Sequence, residues 1–203
     1  MRSVIIIPAL NEEAAIGGVV TSVRDQVERV VVVDNGSTDR TAELASAAGA
    51  DTIFVAKPGY GRACLAGVAA AEHADLLIFM DGDGADDPSD LSDLIEPIKS
   101  GRADLVIGSR ALGQSERGAL TPVQRFGNGL ATFLMRTIWG GTFTDLGPFR
   151  AIRRSAYLSL NMQAPTYGWT VEMQARALKQ RLRCVEVPVA YRRRIGVSKI
   201  SGT

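Results

Sequence analysis

The 203-residue sequence has little of several things that other classes of protein need. It has two cysteines and one histidine, and no apolar run approaches the ~18 residues of a membrane span. Cys64 and Cys184 fit no zinc or redox spacing, which argues against a disulfide framework and favours a reducing, cytoplasmic compartment. The lone His73 argues against a serine or cysteine hydrolase. No signal peptide is visible at the N-terminus, so a secreted scaffold is not expected.

Each half of the chain is short of charge of one sign. Residues 1–101 contain 7 Lys/Arg and 17 Asp/Glu, whereas residues 102–203 contain 16 Lys/Arg and 5 Asp/Glu. An acidic half suits a metal cation, and a basic half suits phosphates or an anionic membrane. A chance difference between two surfaces is the alternative. The basic residues have no aromatic stacking platform among them, so a nucleic-acid-binding module is disfavoured.

Short β-branched runs alternate with helical stretches through the first half of the chain. Runs of this length without polar alternation predict buried parallel strands, and the stretches between them predict helices. The expected fold class is therefore α/β, a mostly parallel central sheet with helices on both faces, in a single domain over residues 1–203. The predicted strands are 4–7, 30–33, 52–55, 76–80 and 105–107, and the predicted helices are about 12–26, 38–49, 61–73 and 90–100.

The second half of the chain is less regular. Phe126, Leu130, Phe133, Leu134 and Ile138 recur at helical spacing over about 122–138. This spacing predicts a helix whose apolar face packs on the sheet. A helix lying in a membrane interface is the less favoured interpretation. A further helix is expected over 170–180 and a strand over 184–190.

Asp81-Gly82-Asp83 directly follows the fourth apolar strand. In sheets of this kind, ligands bind beyond the carboxyl ends of the strands. Residues i and i+2 of a non-helical turn can direct both carboxylates to one divalent ion, and such oxygen ligands suit Mg²⁺ or Mn²⁺ with open positions for substrate phosphates. A solvated acidic turn is the alternative.

Polar clusters also follow the first and second strands. Asn11 and Glu12 follow the first strand, and the turn from Asp34 to Asp39 follows the second. Each cluster also has a purely structural explanation as a turn or a helix cap. The segment 57–63 sets two glycines and two cations before a helix, where backbone N–H groups favour anions.

In this order and spacing, the motifs resemble those of the family 2 glycosyltransferases with the GT-A, Rossmann-like fold. The resemblance covers nearly the whole chain. Its later segments resemble the polyprenyl-phosphate glycosyltransferases of the dolichol-phosphate mannosyltransferase type. The motifs that carry the family resemblance are Pro8-Ala9-Leu10-Asn11-Glu12-Glu13, Val33-Asp34-Asn35-Gly36-Ser37-Thr38-Asp39, Gly59-Tyr60-Gly61-Arg62-Ala63, Asp81-Gly82-Asp83 and Gly108-Ser109-Arg110. Those that carry the subgroup are Asp145-Leu146-Gly147-Pro148-Phe149-Arg150, Tyr167-Gly168-Trp169-Thr170-Val171-Glu172 and the segment from Tyr191 to Lys199.

The resemblance implies a metal-dependent, inverting transfer of a sugar from a UDP- or GDP-linked donor to a polyprenyl phosphate or related lipid. Residues 1–110 would bind the nucleotide sugar and residues 111–203 the acceptor, with the protein peripheral on the inner face of the membrane. Asp81 and Asp83 would hold Mg²⁺ or Mn²⁺. The implied nucleotide-sugar-binding residues are Pro8, Asn11, Glu12, Asp34, Ser37, Lys57, Gly61, Asp81, Gly82 and Arg110. The implied acceptor-phosphate residues are Arg117, Arg125, Arg194, Ser198 and Lys199.

The chemistry of the acceptor decides whether a general base is required. A lipid monophosphate has a second pKa near ~6, so it is largely dianionic at pH 7 and attacks without giving up a proton. A hydroxyl acceptor needs a carboxylate base, and Asp145 and Glu172 are the catalytic candidates. Their structural alternatives are a helix cap for Asp145 and an ion pair with Arg176 for Glu172.

Other functions stay open on the sequence. A non-catalytic nucleotide-sugar-binding protein is one of them, because Ala85 stands where the resembled proteins often carry a polar residue that completes the metal shell. A sugar-nucleotide pyrophosphorylase is disfavoured, because the loop after its first strand would be basic and glycine-rich, whereas this one is acidic. The sequence leaves open whether the chain forms a homo-oligomer.

Overall fold

A seven-stranded sheet organises residues 1–196, the part of the chain that the computed structural model describes. The strands are β1 (Ser3–Ala9), β2 (Arg29–Asp34), β3 (Asp51–Phe54), β4 (Leu76–Phe79), β5 (Leu105–Ser109), β6 (Arg150–Arg153) and β7 (Cys184–Pro188). Their order across the sheet is β3-β2-β1-β4-β6-β5-β7. β6 is antiparallel to β4 and β5, and the remaining pairs are parallel.

Helices cover both faces of this sheet. Alternate residues of β1 enter opposite cores: Ile6 packs with residues of the third, sixth and seventh helices, and Ile5 packs with residues of the first and fourth. Burial on both faces explains why the strands appear in the sequence as unbroken apolar runs. The helices are α1 (Ile16–Val23), α2 (Thr41–Ala47), α3 (Tyr60–Ala70), α4 (Leu91–Lys99), α5 (Pro122–Trp139), α6 (Arg154–Leu160) and α7 (Gly168–Lys179).

The α/β fold class predicted from the sequence is confirmed, and one strand was missed. Each predicted strand and helix of the first half overlaps an observed element, with α1 shorter than its predicted range and continued by a 3₁₀ turn at Arg24–Gln26. β6 was not predicted, because four residues that include two arginines give no apolar run. Its burial comes from pairing with β4 and β5, which are distant in sequence.

The direction of β6 shapes one edge of the sheet. The carboxyl ends of the six parallel strands, β1 to β5 and β7, lie at the same edge, which we call the carboxyl edge. Since β6 is antiparallel, it begins at that edge, and the segment before it, residues 145–149, lies there as well. Loops that follow six strands and the loop that precedes the seventh therefore meet in one place.

Helix α5 forms where it was predicted but does not pack as expected. It begins with a capping box between Thr121 and Gln124 and ends at Gly140 in the left-handed conformation. Only Thr132 and Met135 of the helix are buried. The prediction that its apolar face packs on the sheet is therefore wrong. That surface, the exposed face of α5, consists of Val123, Phe126, Leu130, Phe133, Leu134 and Ile138.

The helical spacing predicted which residues share a face, but it could not predict what that face contacts. The helix is attached to the rest of the domain by Asn128, whose side chain donates to the Thr144 carbonyl and accepts from the Leu146 N–H. Among residues 1–196, no helix combines the length and the apolar character that crossing a bilayer requires.

Candidate active site

Two adjoining cavities open at the carboxyl edge. The small cavity has a volume of about 370 Å³ and is lined by residues at the carboxyl ends of β1 to β4 and in the loops after them, including Pro8, Glu12 and Asn35. The large cavity, of about 600 Å³, lies between α5, α7 and the segment that follows β7. Four residues line both cavities, namely Tyr60, Asp81, Tyr167 and Arg194.

The loops after β1 and β2 are bonded to each other beside the small cavity. The Asn11 amide oxygen accepts from the backbone N–H of Thr38 (2.8 Å), and the Asn11 N–H donates to the Ser37 hydroxyl (2.9 Å). Asp34 accepts from the Ser37 N–H (2.9 Å). Of the residues expected to bind a nucleotide sugar here, Pro8 and Glu12 line the cavity. Asn11, Asp34 and Ser37 shape the loops that carry them.

Asn35, which the sequence analysis did not select, holds the loop after β3. Its side chain donates to the carbonyls of Val55 and Lys57 and accepts from the Gly59 N–H (2.7 Å). Gly59 has φ +150, and a Cβ there would lie 2.4 Å from the Pro165 carbonyl oxygen, so only glycine fits. The side chain of Lys57 lines neither cavity, nor does Gly61.

Asp81 lies at the boundary between the cavities. Its Oδ1 accepts from the hydroxyl of Tyr60 (3.2 Å), whose ring stacks on Tyr167 with centroids 5.8 Å apart. Burial, and after it the charge of Asp83, raises the pKa of Asp81 from 3.8 to about 7. A partly buried carboxyl group next to another acid is a position that a cation would stabilise. Tyr60 and Tyr167 stand in motifs that carry the family resemblance, but neither was predicted as a site residue, because nothing in the sequence places their rings beside Asp81.

Asp83 is almost fully buried and already has a cationic partner. Its Oδ2 accepts from Nε (3.0 Å) and Nη2 of Arg194, and its Oδ1 accepts from the Ala85 N–H (2.9 Å). The backbone of the same segment is attached to this turn, since the Ile195 N–H donates to the Asp83 carbonyl (2.9 Å). Arg194 is thus the one acceptor-phosphate candidate among residues 1–196 whose side chain lines the cavities.

Asp86 is a third carboxyl group of this turn. Its Oδ2 accepts from the Asp81 N–H (3.2 Å), while its buried Oδ1 has no hydrogen-bond partner among the described residues. Burial, with the charges of Asp81 and Asp83, raises the pKa of Asp86 well above its usual value. A hard divalent cation would relieve this accumulation of buried oxygens.

The donor set fits Mg²⁺ or Mn²⁺ held with open positions. Within residues 1–196, no three His, Cys, Asp or Glu side chains are grouped closely enough to form a complete metal site. Two aspartates with vacant positions for phosphate oxygens and water are the arrangement that Mg²⁺ commonly adopts with substrates. Asp81 and Asp83 are the residues here that match it.

Arg110 and Asp145 form a bidentate ion pair inside the domain. Nε and Nη2 of Arg110 each lie 2.7 Å from an Asp145 oxygen, and the Arg110 backbone N–H donates to the same carboxylate (2.7 Å). Burial acts to lower the pKa of Arg110, but Asp145 outweighs it and the net shift is upward. The Arg110 guanidinium also lies over the ring of Tyr191, 4.9 Å from its centroid. Asp145 caps no helix and lines neither cavity.

Glu172 is also committed to structural partners. It accepts from the backbone N–H of Ala164 (2.7 Å) and from Nε of Arg176 (2.8 Å), the ion pair that its sequence spacing allowed. Burial acts to raise the pKa of Glu172, but these donors outweigh it and the pKa lies below its usual value. Glu172 lines neither cavity.

The other acceptor-phosphate candidates lie away from the cavities or beyond the described residues. Arg117 uses its carbonyl to accept from the Arg193 guanidinium, and it is Arg193 whose side chain lines the large cavity. The side chain of Arg125 is exposed on α5 and lines neither cavity. Ser198 and Lys199 lie outside the described residues.

Comparison with known proteins identifies the family to which these residues belong. A profile described as "Glycosyl transferase family 2" matches residues 4–160. The chain belongs to glycosyl transferase family 2.

One protein similar to this family 2 glycosyltransferase is an uncharacterised glycosyltransferase of Mycobacterium tuberculosis. It is 36% identical over 98% of this chain and 89% of that protein. The undecaprenyl-phosphate mannosyltransferase of Micrococcus luteus is 31% identical over 100% of this chain and 88% of its own. Among solved structures, glucosyl-3-phosphoglycerate synthase from M. tuberculosis, in complex with Mn²⁺, UDP-glucose and phosphoglyceric acid, superposes with a TM-score of 0.75. It is 25% identical over 98% of this chain and 72% of that chain.

The comparisons agree with the architecture of the family 2 glycosyltransferase described above. The solved structures are GT-A enzymes, which confirms the fold expected from the motifs, and the chain is a hexosyltransferase. The cavities bring together Asp81 at their boundary and Asp83 in the wall of the small cavity, where Arg194 is bound to it, with the larger cavity adjoining them.

Proposed function

We propose that the protein transfers a sugar from a nucleotide sugar to a polyprenyl phosphate, with inversion, using Mg²⁺ or Mn²⁺ held by Asp81 and Asp83. The observation that carries this proposal is the shared boundary of the two cavities at Tyr60, Asp81, Tyr167 and Arg194. Two substrates that occupy adjoining cavities meet at that boundary. Such proximity favours a single in-line displacement at the anomeric carbon.

On the donor side, residues 1–110 are proposed to hold the nucleotide sugar in the small cavity, with Pro8 and Glu12 in its wall. The divalent cation would supply Lewis-acid stabilisation of the charge that develops on the departing nucleoside diphosphate. The complex of a similar glucosyltransferase with Mn²⁺ and UDP-glucose supports this choice of donor chemistry and metal. Arg110, fixed by Asp145 at the wall of the large cavity, would orient the sugar.

On the acceptor side, residues 111–196 of the proposed acceptor half surround the large cavity. A phosphate group needs no general base, because it is largely dianionic at pH 7. The two candidates for the base that a hydroxyl acceptor would require, Asp145 and Glu172, are both bound by arginines and line neither cavity. A phosphate acceptor is therefore favoured, in line with the undecaprenyl-phosphate mannosyltransferase among the relatives.

The large cavity is also suited to an acceptor with an apolar chain. Its lining includes the charged side chains of Asp81 and Arg194 and the apolar side chains of Ala119, Leu146 and Val171. An acceptor with an anionic head and an apolar tail would match this mixed lining, with its head placed at Asp81 and Arg194. A lipid phosphate has that shape.

The direct test is a transfer assay with the whole chain. UDP- and GDP-linked sugars are each incubated with a polyprenyl phosphate and with a hydroxyl acceptor, in Mn²⁺, Mg²⁺ or EDTA. We expect metal-dependent transfer to the lipid phosphate only. Transfer to the hydroxyl acceptor alone would replace the proposed acceptor, and binding of the nucleotide sugar without turnover would favour a non-catalytic protein.

Gly127 tests the path of the apolar chain. It lines the large cavity from α5, and a Cβ there would meet no atom within 4 Å, so a side chain would fill the cavity rather than disturb the helix. We expect Gly127→Leu to lower kcat/KM for a polyprenyl phosphate by about tenfold, because the added side chain would occupy space that the apolar chain of the acceptor needs. The KM for the nucleotide sugar should not change.

Gly129→Leu is the matched control for this variant. Gly129 lies on the same helix with an equally open Cβ position, but it does not line the cavity. Leucine is the better helix former at both positions, so neither variant should lose stability. Equal kinetics for the two variants would contradict the proposed path.

The exposed face of α5 is proposed to rest on the membrane that carries the acceptor. Phe126 and Phe133 are 73% and 61% exposed, and each would gain about 1.5–3 kcal/mol on burial in an apolar phase. We expect the double variant Phe126→Ser/Phe133→Ser to reduce sedimentation with anionic liposomes by at least about tenfold. Arg125 and Arg136 of α5 should make binding to anionic vesicles stronger than to neutral ones.

Phe54→Ser is the control for membrane binding. Phe54 is 66% exposed at the other side of the sheet, on the edge strand β3, and its loss should leave sedimentation unchanged. If the α5 variant sediments as well as the unmodified protein, α5 does not dock on the membrane.

A further inference from the structure

Arg194 stands where the metal would bind. Its guanidinium donates through Nε (3.0 Å) and Nη2 to Oδ2 of Asp83, and the other oxygen of Asp83 is held by the Ala85 N–H. The Asp83 side chain is only 2% exposed. Oδ2 is thus the oxygen that a cation can take without breaking the turn, and it is the oxygen that Arg194 occupies.

We infer that Arg194 neutralises Asp83 until a divalent cation binds, and that the cation releases Arg194 to receive the acceptor phosphate. This inference rests on the proposed function for the identity of the acceptor. It makes Arg194 an acceptor-binding residue whose availability depends on loading of the metal. No bond is made or broken in the exchange except hydrogen bonds and ion contacts.

The backbone around Arg194 permits this exchange by side-chain rotation alone. The Arg192 N–H donates to the Ala85 carbonyl (2.8 Å) and the Ile195 N–H donates to the Asp83 carbonyl (2.9 Å), so the segment is anchored on both sides of Arg194. The Arg194 side chain keeps 28% of its surface exposed and lines both cavities. It can therefore leave Asp83 and remain at the boundary where the substrates would meet.

The other arginines of the large cavity do not have this freedom. Arg110 is held by both oxygens of Asp145, and Arg193 donates to the carbonyl of Arg117. Neither contacts an aspartate proposed to hold the metal. Among the arginines that line the large cavity within residues 1–196, Arg194 is the one whose anionic partner is also claimed by the cation.

Direct measurement of Mn²⁺ binding tests the exchange without turnover. The free Mn²⁺ signal in electron paramagnetic resonance is followed as the whole, substrate-free protein is titrated. Because Arg194→Met removes the competing guanidinium, we expect this variant to bind Mn²⁺ about tenfold more tightly than the unmodified protein, the scale of one charged hydrogen-bonded contact. Arg194→Lys, which keeps a cation but loses the paired donors, should lie between them.

Arg192→Met is the matched control. Arg192 lies two residues away and pairs with Asp87 of the same loop, so this variant loses the same charge and leaves a carboxylate unpaired. It should leave Mn²⁺ affinity within about twofold of the unmodified protein, since its expected effect is that of a screened surface pair. Thermal unfolding of each variant confirms that it is folded.

The acceptor side of the inference has its own readout. At saturating nucleotide sugar and Mn²⁺, Arg194→Met should raise the KM for polyprenyl phosphate while Mn²⁺ affinity rises, a combination that a purely structural role would not produce. Unchanged Mn²⁺ affinity in Arg194→Met would overturn the inference and leave the proposed function standing. If neither protein binds Mn²⁺, both the inference and the proposed metal site are wrong. Tighter Mn²⁺ binding by the variant, without transfer to any lipid phosphate by the unmodified protein, would overturn the proposed function and the acceptor role, but not the competition at Asp83.

Discussion

Replacing Asp81 with asparagine is expected to lower sugar transfer by about 10²–10³-fold, the scale observed when a group that stabilises transition-state charge is removed. The amide keeps the volume of the side chain and can still accept from Tyr60, so the boundary between the cavities should retain its shape. What is lost is the charge that would hold the cation. Steady-state kinetics at saturating nucleotide sugar, with and without Mn²⁺, measures the effect.

The same variant should not unfold more easily. Burial and the neighbouring Asp83 raise the pKa of Asp81 to about 7, so the folded chain binds a proton there more tightly than the unfolded chain does. The stability linked to that proton is present below about pH 4 and is lost as the pH rises through about 7. At pH 8 without metal, Asp81→Asn should therefore match or exceed the unmodified protein in Tm.

Asp87→Asn provides the control for a carboxylate in the same loop. Asp87 accepts from the Ser89 N–H and pairs with Arg192, and it lines neither cavity. Its transfer rate should stay within about threefold of the unmodified protein, because a partly exposed ion pair contributes little. Full metal-dependent turnover by Asp81→Asn would remove the basis of the proposed mechanism.

The second large effect is expected on stability, at the pair of Arg110 and Asp145. The two side chains are 12% and 2% exposed and joined by two hydrogen bonds of 2.7 Å. Arg110→Met leaves the Asp145 carboxylate buried without its partner, which costs about 3–5 kcal/mol in comparable buried pairs. The free energy of unfolding in urea at pH 7 measures this loss.

A double variant separates the ion pair from the volume it occupies. Arg110→Met with Asp145→Leu removes both charges, so it should be clearly more stable than Arg110→Met alone. Additive losses of stability in the double variant would show that the two side chains act independently.

Arg29→Met is the control for an exposed ion pair. It breaks the pair with Asp51 and should lower the free energy of unfolding by less than about 1 kcal/mol.

The fold and part of the site were accessible from the sequence because they depend on local patterns. Apolar runs identified the strands of the parallel sheet, and the polar residues after them, such as Asp81 and Glu12, reached the same edge as expected. This follows from geometry, since parallel strands end together. Nothing beyond strand order was needed to bring those loops close to one another.

Features that depend on distant partners were not accessible in this way. Asp145 was a candidate base until Arg110, 35 residues away, was seen to bind both of its oxygens. Tyr60 bonds Asp81 across 21 residues, and its place in the motif over residues 59–63 does not indicate that contact. The spacing of the apolar residues correctly predicted the helix α5, but spacing alone does not indicate whether its apolar face contacts protein, solvent or lipid.

The orientation of a single strand decides whether the Arg110–Asp145 pair can exist. β6 has four residues, so a strand of that length spans about 13 Å. Had it run in the same direction as its neighbours, the segment ending at Phe149 would enter the sheet from the opposite side, roughly that distance from Arg110. The reversed direction of β6 thus brings the Asp145 carboxylate to the carboxyl edge without an added domain, and the position of the cavity-lining Arg110 guanidinium depends on the direction of that one strand.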